Sequence, residues 1–371
     1  MKLCYFVKNI RLFRMNKDKN ILTLAKLDQI TIDNKVYQIE SQLGGNGASS
    51  FKYFNIENFD EKIFIKFLIS PRNELELYKF KMEAKFLESE RMKPIKIVPR
   101  ILIASEHETL PIYYYATEWI NGKPLEKILL ELNNPTLEEI INIVHRCCSS
   151  AAYMATMISH RDFHPGNIIF LDEEPEWANQ FHTARNFVDA KVIITDFGNA
   201  IMPLAFNYED DGHGNEKIYQ NVNRRIEGSF RSLPPEIFSN PIDAFSYNPG
   251  CGEAWAIGIL FYKLLKGEDI LNIESISEYA HLVCTKEIEN IISHKLTSIH
   301  DKLDNNYILI RILEGLLKVK SSSRMSLGVA AGLFWDYRFG DLNDKPIDFQ
   351  KKYIDSGRNY PPLRPDEYEC Y

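Results

Sequence analysis

The sequence predicts an α+β fold in which the strands come first and the helices follow. Three observations predict it. Short runs rich in β-branched and aromatic residues crowd the first third of the chain, with one helical stretch among them. Further on, apolar residues recur at spacings of three and four, as a helix burying one face requires. The 371 residues, 45% of them hydrophobic and 26% charged, have globular proportions and can bury one large core or two lobes.

Residues 1–20 are basic, with Lys2, Lys8, Arg11, Arg14, Lys17 and Lys19 against Asp18, and read as an arm. The apolar patch Leu3 to Val7 is too short for a secretory signal core. Leu22 to Leu43 reads as a hairpin that turns at Asp33-Asn34 and feeds the strand Val36 to Ile39. That strand runs into Leu43-Gly44-Gly45-Asn46-Gly47-Ala48-Ser49-Ser50-Phe51, where small residues let backbone N–H groups approach a ligand closely; taken alone, the stretch is a tight turn. Ile63 to Leu68 is an apolar strand with Lys66 inside it. A buried ammonium needs a partner, and the helical stretch Glu74 to Arg91, whose stripe is Leu77, Phe80, Ala84 and Leu87, offers Glu76, Glu83, Glu88 and Glu90 as rivals for that place. Two more strands, Pro99 to Ile103 and Ile112 to Trp119, bring the total to about five.

Thr136-Leu137-Glu138-Glu139 carries the signature of a helix cap, and that helix runs to about Ile158. It delivers Ser159-His160-Arg161-Asp162-Phe163-His164-Pro165-Gly166-Asn167 and the apolar run Ile168 to Leu171. Pro165-Gly166 supplies turn chemistry, so Asp162 and Asn167 can point at one small volume suited to a metal and a hydroxyl. The polar span Asp172 to Asp189 reads as an insertion, after which Lys191 to Thr195 returns as a strand and presents Asp196. From Asp196 to Glu236 the chain is long and polar. Helices are expected from Glu253 through Leu265 and over the stripe Ile308, Leu309, Ile312, Leu313, Leu316 and Leu317. Beyond about Phe339 it is polar and proline-bearing.

The net charge of -7 argues against a general nucleic-acid binder. The longest apolar run, Ala254 to Tyr262, is too short to span a bilayer. The six cysteines show no C-x-x-C spacing, and adjacent Cys147 and Cys148 read as small core residues, which fits a reducing cytoplasm. The histidines give no zinc spacing.

His160-Arg161-Asp162, four residues and then Asn167 resembles the catalytic loop of eukaryotic-type protein kinases, and Asp196-Phe197-Gly198 resembles their metal-binding Asp-Phe-Gly. The resemblance runs in order from about Leu43 to Trp335. It implies a bilobal protein-kinase-like fold with a small β-rich lobe at 21–117, a mostly helical lobe at 118–340 and a tail at 341–371. It also implies ATP and Mg2+ as cofactors, a protein as substrate, and a nucleotide between the lobes.

By the same resemblance, Gly44, Gly45, Asn46 and Gly47 would cover the phosphates. If Gly44 is the first glycine of that loop, Phe51 lies over the adenine; a shift by one puts Gly45 and Gly47 in register instead. Lys66 and Glu83 would be the pair that grips the phosphates, and Thr117-Glu118-Trp119 the hinge, with Gly122 starting the second lobe. Asn167 and Asp196 would hold magnesium, and Asp162 would accept or orient the proton of the acceptor hydroxyl. Glu253, where the family carries Asp, would brace the loop, and Glu236 would pair with Arg324. His164 stands where the family carries a lysine on the transferred phosphate; it acts there as a cation or hydrogen-bonds within the loop.

Three functions compete. The first is a protein kinase, Ser/Thr-directed. The second is a small-molecule phosphotransferase, because His164-Pro165-Gly166-Asn167 also resembles the loop of aminoglycoside and choline phosphotransferases. The third is a pseudokinase scaffold, against which the presence of Lys66, Asp162, Asn167 and Asp196 argues.

Overall fold

The computed structural model describes residues 22, 25–44, 49–88, 97–155, 158–172, 192–200, 229–238, 250–303 and 306–339. The expected arm, the insertion at 172–189 beyond Asp172, the middle of the 196–236 segment and the tail lie outside these residues, as do Gly45, Asn46 and Gly47. The chain divides into two compact units, Met1–Asn121 and Gly122–Tyr371. The last strand of the first unit keeps its pairing as far as Glu118, opposite Ile63.

In the first unit, six strands form one antiparallel sheet in the order β1-β2-β3-β4-β6-β5. They are β1 Gln29–Ile32, β2 Lys35–Gly44, β3 Ser49–Asn55, β4 Lys62–Ile69, β5 Ile101–Glu106 and β6 Ile112–Glu118. The expected hairpin is β1-β2. Asp33 and Asn34 close it at φ 49° and 64°, left-handed values that these short polar side chains tolerate and that match the twist of the strands. Helix α1, Glu74–Glu88, buries Phe80, Ala84, Phe86 and Leu87, and Phe80 packs on Tyr115 with ring centroids 5.4 Å apart.

Strand alternation sorts this sheet into two faces. Phe51, Tyr53, Ile63, Ile65, Phe67 and Ala116 share a buried apolar face with Leu22, Ala25 and Leu27 packed in the same cluster. The Tyr53 hydroxyl ties that cover down by donating to the Leu27 carbonyl at 2.6 Å. Lys52, Phe64, Lys66, Tyr115 and Thr117 point to the other face, the one that meets α1.

The second unit opens with a three-stranded antiparallel sheet, β7 Gly122–Pro124, β8 Ile168–Leu171 and β9 Val192–Ile194. Its helices are α2 Leu125–Glu131, α3 Leu137–Ala155, α4 Cys251–Lys266, α5 Ile276–Cys284, α6 Glu287–Thr297, α7 Tyr307–Leu316 and α8 Leu327–Phe339. The expected cap of α3 is a reciprocal pair: the Glu139 N–H donates to Thr136 Oγ1 at 3.3 Å and the Thr136 N–H to Glu139 Oε2 at 2.8 Å. Asn306 caps α7 by accepting from the N–H groups of Ile308 and Leu309. Helix α4 is buried from Cys251 to Tyr262 and packs against α3 and α7. Gly258 makes the second contact possible, since a Cβ there would stand 2.9 Å from the Leu317 side chain.

Among the described residues Cys147, Cys148 and Cys284 form no disulfide, whereas Cys251 is disulfide-bonded. No helix among the described residues is long and apolar enough to cross a membrane.

His145 on α3 is buried against Phe334 and Trp335 of α8, and its Nδ1 accepts from Arg338 Nη1 at 3.0 Å. Burial, with Arg338 and Arg146 nearby, holds its pKa down at about 3. The unfolded chain, with an ordinary value of about 6.5, therefore binds a proton that the folded chain refuses between those two pH values. This contribution to stability is complete above about pH 6.5 and is lost toward pH 3, by up to about 1.4 kcal/mol per pH unit. His145→Gln keeps an acceptor for Arg338 without the titration, so urea unfolding from pH 7 to 4 should show a shallower decline in the variant. Parallel declines would remove His145 as a source of acid sensitivity.

Candidate active site

The polar loop Ser159–Asn167 leaves the buried helix α3 and is closed by a single 3-10 turn over Pro165–Asn167. Arg161 takes a left-handed φ of 64°, which turns the chain so that the flanking groups converge. Asn167 Nδ2 donates to the Asp162 carbonyl at 3.0 Å and the Asn167 N–H to the His164 carbonyl at 2.9 Å, so the loop is bonded to itself from end to end. The Thr195 N–H donates to the Asn167 carbonyl at 2.9 Å. That bond sets β9 in register with the loop and brings Asp196, also left-handed at φ 64°, to the same end of the sheet.

Glu253, in the first turn of α4, holds the loop from beneath. Its Oε1 accepts from the His160 N–H at 2.6 Å, the Arg161 N–H at 3.3 Å and Ser159 Oγ at 3.2 Å, and the residue is only 1% exposed. The bracing role implied for Glu253 is thus what the geometry shows. Glu253→Ala removes the acceptor of buried donors and should cost about 1–3 kcal/mol of stability. Glu253→Gln keeps an acceptor oxygen and should recover much of that loss in thermal melts and in turnover. Wild-type melting and kinetics in the alanine variant would take the role away.

His160 is fully buried. Its Nε2 donates to the Thr195 carbonyl at 3.0 Å, its Nδ1 accepts from the Asp162 N–H at 3.3 Å, and its ring packs on Phe197 at 5.0 Å. Burial pushes its pKa down, so it serves as a neutral linker between Asp162 and the strand that carries Asp196.

Asp162 is half-buried, and its carboxylate is held at both oxygens. Oδ1 accepts from the Ser229 N–H at 2.9 Å, and Asn199 Nδ2 lies 3.4 Å from Oδ2. Neither contact was foreseen. Ser229 contributes a backbone donor, which no side-chain pattern reveals; Asn199 lies one residue beyond Asp196-Phe197-Gly198, where its amide was the available signal.

His164 is bonded within the loop. Its Nδ1 accepts from the Gly166 N–H at 3.1 Å, and since a backbone N–H can only donate, that nitrogen carries a lone pair. Its Nε2 lies 3.7 Å from Asp162 Oδ1.

In the first unit the expected pair forms: Lys66 Nζ lies 2.8 and 3.1 Å from the two oxygens of Glu83. Glu76, a rival partner in α1, pairs instead with Arg72. Thr117 is buried on the Lys66 face, whereas the Glu118 carboxylate turns to Arg100. Phe51 does not lie over a ligand on that face. Its neighbours across the sheet are Gln42 and Ile65, its ring packs edge-on against Phe67 at 5.8 Å, and it is fully buried. Strand parity gives the Lys66 face to Ser50 and Lys52 instead.

The family model described as protein kinase domain matches residues 37–334. The chain belongs to the protein kinase family. Protein kinase domains are phosphotransferase domains that generally use ATP and Mg2+ and act on proteins, and the residues of this kinase domain fit such a metal. The Asn167 amide nitrogen is spent on the Asp162 carbonyl, which leaves its oxygen, with the Asp196 carboxylate, as hard donors. Among the described residues no group of three or more His, Cys, Asp or Glu gathers, so an ion here would complete its shell with phosphate and water oxygens, as magnesium does.

Proposed function

We propose that this kinase domain is catalytically active and transfers the γ-phosphoryl group of ATP to a serine or threonine hydroxyl of a protein, with magnesium held by Asn167 and Asp196. The observation that carries the reading is the braced loop, in which Glu253 fixes the backbone of His160 and Arg161 while Asn167 closes on Asp162. A scaffold that only bound partners would have no need of so constrained a carboxylate.

On the Lys66 face of the first unit, the ammonium is kept in place by Glu83 and orients phosphate oxygens. Magnesium, when bound, offsets the charge that develops on the transferred group. Asp162 receives or orients the proton of the attacking hydroxyl. Its half-buried carboxylate is held by Ser229 and Asn199, so the hydroxyl meets a base already aimed. His164 helps to hold that end of the loop by accepting from the Gly166 N–H. The paired Glu236 and Arg324, at 2.6 and 2.7 Å, favour a protein substrate over a small alcohol, because the pair belongs to the resemblance to protein kinases and not to the loop shared with small-molecule phosphotransferases.

Incubating the full chain with radiolabelled ATP, magnesium and a generic protein substrate, beside a panel of aminoglycosides and choline, tests the reading. Phosphoserine or phosphothreonine on the protein is expected. Turnover of a small alcohol with no protein labelling would replace this reading with the second, and no turnover of any acceptor would leave the scaffold.

A further inference from the structure

We propose that a cavity on the face of the first sheet turned away from Lys66 is a docking site for the basic segment at residues 8–14 of this same chain. Strand alternation puts Ile32, Tyr37, Ile63 and Glu118 on the face opposite Lys66. There, within the first unit, the surface sinks into a cavity of about 340 Å³. Ile32, Ile63 and Leu102 give it an apolar floor, continuous with the buried cluster of that face. Four carboxylates, those of Asp33, Asp60, Glu61 and Glu118, stand around the floor. A hollow of this kind fits a chain in which apolar and cationic side chains are interleaved.

Two of the carboxylates are already answered. Glu61 accepts from Lys35 Nζ at 2.6 Å and from Tyr37 Oη and Asn55 Nδ2 at 2.8 Å each, and Glu118 pairs with Arg100 at 3.5 Å. Tyr37 and Asn55 are each 3% exposed, so the donors that set Glu61 are fixed parts of the fold. Lys35, with Asn55 and Tyr37, holds the Glu61 pKa down at about 2, and the carboxylate keeps its charge. Asp33 and Asp60 are exposed and form no ion pair among the described residues. Lys62, the remaining cation of the lining, belongs by alternation with Phe64 and Lys66 to the opposite face. The cavity is therefore left with an excess of negative charge.

Charge and reach together select the occupant. Residues 8–14 carry Lys8, Arg11 and Arg14, with Ile10, Leu12 and Phe13 among them and no carboxylate. Leu22, eight positions beyond Arg14, is buried in the apolar cluster of the same face. Eight extended residues span up to about 26 Å, and the five spacings of a six-stranded sheet about 24 Å. The segment thus reaches the cavity without leaving its own molecule, and the short connection raises its effective concentration there. Arg11 and Arg14 would meet Asp33 and Asp60 while an apolar side chain covers the floor.

Amide hydrogen exchange of the full-length protein, read by mass spectrometry on fragments that cover residues 1–20, tests this. In the wild type, residues 8–14 should exchange more slowly than in a free synthetic peptide of residues 1–20, to the same degree at every protein concentration. Asp33→Asn/Asp60→Asn, in which asparagine suits the left-handed backbone at 33, should speed that exchange about three- to tenfold, the scale of two exposed ion pairs. High salt should act in the same direction. Asp33→Asn/Asp60→Lys should speed it further, and adding Arg11→Glu/Arg14→Glu should recover part of the protection, which a general loosening of the fold cannot do. Wild-type exchange at the rate of the free peptide, protection indifferent to Asp33 and Asp60, or no recovery on reversing the charges would overturn the proposal. Protection that grows with protein concentration would overturn it as well, in favour of a second copy as the occupant.

Discussion

Asp196→Ala is expected to abolish magnesium-dependent phosphoryl transfer, lowering turnover by more than about 10³-fold, beyond the loss that follows removal of a single neutral donor. A carboxylate that holds magnesium has no replacement at this site except Asn167, whose amide nitrogen is already committed to Asp162. Asp196 is exposed but left-handed, a conformation that alanine tolerates poorly, so Asp196→Asn, which suits that backbone, separates the loss of turnover from a loss of folding. Lys66→Ala provides the contrast: it should raise KM for the nucleotide and leave the metal requirement in place. Because Glu83 is almost fully buried, removing Lys66 takes the ammonium from a buried carboxylate, and the variant is best paired with Lys66→Ala/Glu83→Gln. Steady-state kinetics over a range of magnesium concentrations would decide the matter. Full turnover by the Asp196 variant would overturn the enzymatic reading.

The second large effect concerns stability. Arg324 is wholly buried, and its guanidinium forms two parallel bonds to Glu236, at 2.6 and 2.7 Å. It also donates to the carbonyls of Cys251, Lys318 and Val319, and lies 5.2 Å from the Trp255 ring centroid. Arg324→Ala should therefore cost about 3–5 kcal/mol, since it leaves a carboxylate without its charged partner and three carbonyls without a donor. Arg324→Lys keeps the charge but cannot reproduce the fork, so it should fall between. Glu236→Gln/Arg324→Met separates the two sources of the loss: if the stranded charge dominates, the double variant is more stable than Arg324→Ala. Chemical denaturation would measure all three, and an alanine variant within about 0.5 kcal/mol of wild type would show that the network carries no stability.

A good part of this architecture was legible in the residues. The Asp33-Asn34 turn, the Thr136–Glu139 cap, the α1 stripe and the α7 stripe are local features, in which a residue's role depends on neighbours within a few positions. The loop that carries Asp162 and Asn167 was legible for the same reason, because its turn chemistry and its functional groups share one short stretch. Long-range pairs such as Lys66 with Glu83 and Glu236 with Arg324 were reached through the resemblance, which stands in for the missing spatial information.

The sequence by itself thus determined which elements form, which polar groups are brought to the loop and which charges must find partners. Only the tertiary structure decided which way those elements face and what reaches the site from a distance. Phe51 and Lys52 are adjacent, and a shift of one residue exchanges core for ligand face; the matter is settled by the pairing of β3 with β4, where Phe51 stands opposite Ile65 and Lys52 opposite Phe64. The donors on Asp162 come from Ser229 and Asn199, and the first of them is a backbone N–H that every residue except proline owns. The ring of His164 is oriented by Gly166, whose backbone N–H donates to Nδ1. In each case the deciding quantity is a direction in space, and a one-dimensional pattern records spacing along the chain without recording where a lone pair or a pleat points.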